Sequence, residues 1–257
     1  MAISVAPGAR ILDERRFFIS MALAMAAAAF VGFAPSYFLA AWNDGPRPAL
    51  TPMLHVHGAL CTAWILLLVF QAWLIAARRV AIHRIAGFAG AALATAILVT
   101  GLSIAMASER RVHTAANAGT IADPYVFLIY PFSAVTLFAL FVALGVANRR
   151  NGPVHKRMML LATMSLIGPA LARVATRTML AFTAPGTTSF VGLPGAIAAL
   201  VLVDFFLAAL VIYDLRTRGR LHPATLWGGG FLLLSEPLRV AISYSQPWQD
   251  FARMLMG

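Results

Sequence analysis

The sequence predicts an all-α fold, a polytopic transmembrane bundle of seven helices with its N-terminus inside and its C-terminus outside. Three observations predict it. Of 257 residues, 61% are apolar and 11% are charged, whereas a soluble surface needs roughly a quarter or more of its residues charged. Seven apolar stretches each reach the ~20 residues needed to cross some 30 Å of hydrocarbon. Basic residues gather in alternate connections, the mark of a cytoplasmic face.

The spans follow in order between charge clusters and Pro/Gly breaks. The first, 17–42, opens after Arg15 and Arg16, and its apolar run exceeds the roughly 7–15 residues of a secretory leader core, so it reads as a retained anchor. The second, 53–77, follows Pro52 and stops at Arg78 and Arg79. The third, 85–107, follows Arg84, and the fourth, 125–147, runs from Pro124 to Arg149 and Arg150. The fifth, 158–181, begins after Lys156 and Arg157, the sixth is 190–213, and the seventh, 224–245, follows Pro223. The connections are too short for a soluble domain, so residues 1–257 read as a single transmembrane domain.

With the N-terminus inside, the cytoplasmic segments hold Arg10, Arg15, Arg16, Arg78, Arg79, Arg84, Arg149, Arg150, Lys156, Arg157, Arg216, Arg218 and Arg220. Only Arg47, Arg110, Arg111 and Arg253 fall outside. Tyr37, Trp42, Tyr125, Tyr244 and Trp248 mark the outer ends, and Trp73, Tyr213 and Trp227 the inner ones, as aromatic belts do. The net charge of +11 is spread over four segments instead of one stripe with interleaved aromatics, which excludes a nucleic-acid footprint and suits anionic lipid headgroups. The expected setting is a bacterial inner membrane. The bilayer is the expected partner, with a second membrane protein or a second copy of the chain beside it. Cys61 is the one cysteine, so no intrachain disulfide forms and a secreted disulfide scaffold is excluded.

Three connections resemble one another: Arg78-Arg79 before His83-Arg84, Arg149-Arg150 before His155-Lys156-Arg157, and Arg216, Arg218 and Arg220 before His222-Pro223. They predict three related hairpins added to the first helix. His83, His155 and His222 would then share one membrane face. They either converge on a haem or metal, or simply meet phosphates at helix N-termini. The surrounding cations favour the second, so no metal site is expected.

Ionisable residues inside hydrocarbon are costly and usually face a partner or a cavity. At 1.5 Å per residue, Arg173 and Arg239 each stand roughly 22 Å above the inner edge, and His57 roughly 6 Å below the outer one. These three share a layer, with Glu236 about one turn deeper and Asp204 nearer the inner side. Arg173 and Arg177 are four apart and look the same way; Glu236 and Arg239 are three apart and can pair. Pro237 bends the last helix between them. On the second helix His57, Cys61, Trp64, Leu68 and Gln71 form one stripe, and His55 points elsewhere. The layer either fixes helix register or lines an outer-leaflet pocket for an oxygen-rich or anionic ligand, with His57, Arg173, Glu236, Arg239 and Arg177 as its candidate binding residues.

A bis-histidine haem needs one histidine from each of two facing helices. His55 and His57 at the outer side and His83, His155 and His222 at the inner side are the candidate cofactor ligands, but none forms a mid-span pair. A zinc-protease H-E-x-x-H, a G-x-S-x-G elbow and a phosphate-cradling Walker loop are all missing. A retinal protein needs a lysine in its last span, and the one lysine, Lys156, lies in a connection.

The runs His55-Val-His57-Gly-Ala-Leu with Trp64 and Gln71, His83-Arg84-Ile-Ala-Gly87, His155-Lys156-Arg157-Met158-Met159-Leu160 with Arg173, and Tyr213 to Trp227 resemble uncharacterised bacterial multi-helix inner-membrane proteins. Over 53–245 the resemblance implies such a protein and no particular activity. It extends distantly to the helical sheaths of the cytochrome b561 type, from which this chain departs by lacking mid-span histidine pairs. The expected function is a binding protein or accessory subunit for a lipid-like or quinone-like ligand. A membrane redox protein using haem b or quinone, and a proton-coupled transporter titrating Glu236 or Asp204, are the alternatives.

Overall fold

The computed structural model describes residues 7–42, 50–114, 124–182 and 193–256, and every element among them is helical. They are α1 (Pro7–Phe33), α2 (Pro52–Ala76), α3 (Val80–Thr114), α4 (Pro124–Phe127), α5 (Ile129–Ala147), α6 (Gly152–Ala181), α7 (Leu193–Arg218), α8 (Gly230–Ser243) and α9 (Gln246–Met256). A wide π-helical turn, Thr225–Gly229, leads into α8, and another, Ala34–Phe38, extends α1. Six helices are long and apolar enough to cross a membrane: 13–38, 52–76, 80–107, 125–147, 152–181 and 197–218. Large apolar side chains such as Leu66, Phe88, Phe205 and Leu234 point outward. Water would not tolerate that surface, and lipid demands it. The chain is a multi-pass, all-helical membrane protein.

Local chemistry sets the helix starts. Thr51 caps α2, its hydroxyl accepting from the Leu54 N–H at 3.4 Å, with Pro52 in the first turn. Asn151 caps α6 in the same way through Val154, with Pro153 behind it. The α6 start lies six residues before the apolar run, so His155, Lys156 and Arg157 are helical residues rather than parts of a connection. Between α2 and α3 the chain turns within three residues, with Arg78 at φ 59°, a left-handed conformation rare outside glycine. The third helix runs past Ala107 to Thr114, which places His113 in its last turn. Hydropathy limits the crossing portion of a helix, and the polar residues after it are adequate helix formers with no break among them.

α1, α2, α3, α5 and α6 close a ring in which each packs against the next, and α7 lies outside on α6. The ring is filled by Met25, Trp64, Ile97, Phe138 and Met164. Trp64 meets Phe138 edge-on at 4.8 Å and donates its indole N–H to Thr163 at 3.2 Å. The predicted stripe on α2 does face inward: Trp64 is buried, Leu68 packs on the core, and Gln71 donates to the His83 carbonyl at 3.3 Å.

At the end carrying the basic connections, a buried cluster ties α6, α7 and the π-helical turn. Arg157 and Asp214 are 2% and 0% exposed and form an ion pair. The Arg157 Nη1 donates to the Pro153 carbonyl at 2.9 Å and Nε to Thr225 Oγ1 at 3.2 Å. The Thr225 hydroxyl donates to Asp214 Oδ2 at 2.5 Å, and the His222 N–H donates to the same oxygen at 3.1 Å. Beyond this anchor α8 leaves α7 and packs on α5 and α4 instead. The splay opens a space between α7 and α8 at the far end of the bundle.

Candidate functional site

That space is a chamber of about 460 Å³ at the end of the bundle opposite the basic connections. Its walls come from α2, α3, α5, α6, α7 and α8, with Phe33 of α1 and Phe127 of α4, and are mostly apolar. Four ionisable side chains from three helices, His57 of α2, Arg173 of α6 and Glu236 and Arg239 of α8, share the lining with Tyr130 and Ser165.

Arg173 lies one turn after Pro169 on α6. Its Nη1 donates to the Pro169 carbonyl at 2.9 Å, and its guanidinium sits 4.4 Å over the Phe33 ring. Proline has no N–H, so the Ser165 carbonyl loses its helical donor, and both residues line the chamber. Arg239 is buried. Its Nη2 donates to Ser235 Oγ at 3.0 Å, while its Nε finds no partner among the described residues. The expected Glu236–Arg239 pair does not form: among the described residues neither Arg173 nor Arg239 has a carboxylate within 4 Å. Ser235, one turn back on the same helix, takes Arg239 instead.

Hydrogen bonds fix the tautomer of His57. The Thr100 hydroxyl donates to the Ala96 carbonyl at 2.7 Å, so its oxygen accepts from His57 Nδ1 at 2.9 Å. The lone pair then belongs to Nε2, and the Cys61 thiol donates to it at 3.4 Å. Both ring nitrogens of the imidazole are thus satisfied by the protein. As a ligand donor it would have to release Thr100 or Cys61. Gly101 makes room for it: a methyl there would meet His57 Cε1 at 3.2 Å.

Two sequence-derived candidates fall elsewhere. Arg177 turns away and donates to the Val31 carbonyl at 3.3 Å and to that of Gly32, closing the carbonyl end of α1. His55 is exposed and lies beside Tyr37, whose hydroxyl donates to the His55 carbonyl at 3.3 Å. Asp204 lies close enough to Glu236 for their charges to interact, contrary to the expected separation in depth, and its Oδ1 is buried without a partner among the described residues. On the 197–218 span it stands seven residues from the end nearer the chamber, about 10 Å along the helix.

Of the three histidines at the basic end, two meet. The rings of His83 and His155 lie 6.1 Å apart and perpendicular. His222 belongs to the Asp214 cluster, its Nδ1 accepting from the Ala224 N–H at 3.0 Å. Burial and the nearby Arg157 and Arg218 charges hold its pKa below the ordinary value, so it stays neutral in that role at pH 7.

Two features went unseen in the sequence. The Arg157–Asp214 pair is one, and α9 is the other. In α9, Trp248 donates to the Tyr125 carbonyl at 2.8 Å, and Phe251 and Ala252 pack with Trp248 on Ile129 and Phe132 beside the chamber. The spacing of Trp248, Phe251, Ala252 and Leu255 along an otherwise polar segment was its available signal. Compared with family models, curated proteins and solved structures, the chain matches none, so the site rests on its own geometry.

Proposed function

We propose that the chain is a seven-helix protein of the bacterial inner membrane, N-terminus inside, whose outer-leaflet chamber holds a lipid-like or quinone-like molecule by its oxygens. The seventh crossing is the continuous helix 223–243, 21 residues or about 31 Å long, enough for the hydrocarbon. Leu226, Phe231, Leu234, Leu238 and Ile242 face outward along it, with exposed Trp227 and Tyr244 at its two ends. The whole of 1–257 then forms one membrane domain.

The carrying observation is a pair of guanidiniums with no carboxylate within 4 Å among the described residues, in a chamber of apolar walls. A buried cation of that kind favours an oxygen acceptor, and the walls favour a hydrophobic body attached to it. Arg173 stands at the exposed rim and Arg239 in the wall, so the two grip one head group from different sides. Glu236 offsets part of the charge, and His57 shapes the floor.

Mass spectrometry of the detergent-purified protein, with extraction of bound lipids and quinones, tests this. One phospholipid or quinone class is expected at near-stoichiometric occupancy. In Arg173→Gln/Arg239→Gln the occupancy should fall at least about tenfold, because a hydrogen bond to a charged group contributes about 1.5–3 kcal/mol. The melting temperature should change little. Equal occupancy in both proteins, or no co-purifying molecule, removes the reading.

A further inference from the structure

At the other end of the bundle, Gln71 of α2 and His155 of α6 both neighbour His83 of α3, and each of the three carries a lone pair of metal-ligating type. His155 Nδ1 lies 2.8 Å from the Gly145 carbonyl. A carbonyl only accepts, so Nδ1 carries the proton and Nε2 the lone pair. His83 Nδ1 is buried with no partner among the described residues, and so is Gln71 Oε1, whose amide nitrogen already donates to the His83 carbonyl. Native proteins leave few such atoms empty, and an ion is one standing explanation where several occur together.

We propose that His83, His155 and Gln71 bind one imidazole-preferring divalent transition-metal ion, of the Zn²⁺, Cu²⁺ or Ni²⁺ class. The rings come near the spacing that a shared ion sets. Two metal–nitrogen bonds of about 2.0–2.1 Å plus the ring radii put the centroids about 5.2 Å apart at a tetrahedral angle and about 6.4 Å apart in line; from 6.1 Å the side chains close by just under about 1 Å to take a tetrahedral ion. The Gly145 carbonyl on the far nitrogen of His155 is the outer-shell arrangement that orients ligating histidines. Two imidazoles and an amide oxygen form a neutral set of intermediate softness, which selects this class over Mg²⁺ or Ca²⁺.

The basic surroundings oppose a dication less than the composition implies. Lys156 is paired with Glu14 and Arg157 with Asp214, so the two cations following His155 are compensated. Arg84 remains exposed beside His83. The site shares no residue with the chamber, and neither proposal depends on the other.

Zn²⁺ titration of the tag-free protein in detergent, by calorimetry, should show one equivalent bound. Both His83→Ala and His155→Ala should weaken it by at least about tenfold, Gln71→Leu less, and His222→Ala not at all. On the wild type alone, Zn²⁺ should slow diethyl pyrocarbonate modification of His83 and His155 and leave exposed His55 unaffected, which keeps the test independent of how the variants fold. Equal modification with and without Zn²⁺, or undiminished binding in folded His83→Ala and His155→Ala, would overturn the site.

Discussion

Replacing Asp214 with alanine is expected to destabilise the protein by about 3–5 kcal/mol, among the largest effects of any single substitution in the chain. The carboxylate is fully buried and receives the Arg157 guanidinium, the Thr225 hydroxyl and the His222 N–H. Its removal leaves a buried cation with only the Pro153 carbonyl and Thr225 to hold it. Arg157→Ala should cost a similar amount, for the opposite unpaired charge. The double substitution Arg157→Met/Asp214→Leu should recover much of the loss, since removing both charges together also removes their desolvation penalty. Reversible unfolding in mixed micelles measures all four corners of this cycle. Additive single losses, or an Asp214→Ala shift below about 1 kcal/mol, would show that the pair does not bind α6 to α7.

The second large effect belongs to Gly32. A methyl group there would run into the Ala170 backbone oxygen and Cα of α6, atoms that no rotamer change can move. Gly32→Ala is expected to cost about 1–3 kcal/mol or more, despite the roughly 1 kcal/mol that alanine gains over glycine inside a helix. Arg177 would lose its grip on the Gly32 carbonyl as the helices separate. Gly90→Ala is the matched control: its new methyl meets only the tip of Leu67 at 3.0 Å, so that variant should be near neutral. Equal melting temperatures for the two variants would dispose of the close approach of α1 to α6.

What could be read before folding was governed by one-dimensional signals. Apolar runs locate the helices because every backbone group in lipid must be satisfied within its own segment. Counting residues along a helix placed His57, Arg173, Glu236 and Arg239 at compatible heights, and they do share the chamber. The same arithmetic placed Asp204 nearer the inner side, because a depth counted along one helix says nothing of the stagger between helices, and Asp204 lies close enough to Glu236 for their charges to interact. Arg157 was hidden by its company. Beside Lys156 and after Arg149 and Arg150 it looks like another topology signal, and only the fold shows that it is interior. Asp214, an acid just before Arg216, Arg218 and Arg220, was the available hint. The missed α9 is only 11 residues long, with Asp250 and Arg253 in its middle, and escapes any search for hydrophobic runs, although its apolar side is periodic. Arg177 was expected to look the way of Arg173, but one further turn along α6 its guanidinium reaches the Val31 and Gly32 carbonyls of α1 instead of the chamber.

The widened turn at Thr225–Gly229 is in effect one surplus residue in an otherwise regular spiral. A single extra residue rotates all that follows by about 100°. Excising Gly229 would restore the ordinary winding and swing Ser235, Glu236 and Arg239 around the helix axis together, carrying the guanidinium out of its enclosure toward acyl chains. If the chamber holds a lipid-like or quinone-like molecule as proposed, such a shortened protein should still insert, yet lose that molecule as completely as the arginine variants do. Where that last helix aims its charges is thus set by chain count a full three turns earlier, at a place that touches no ligand.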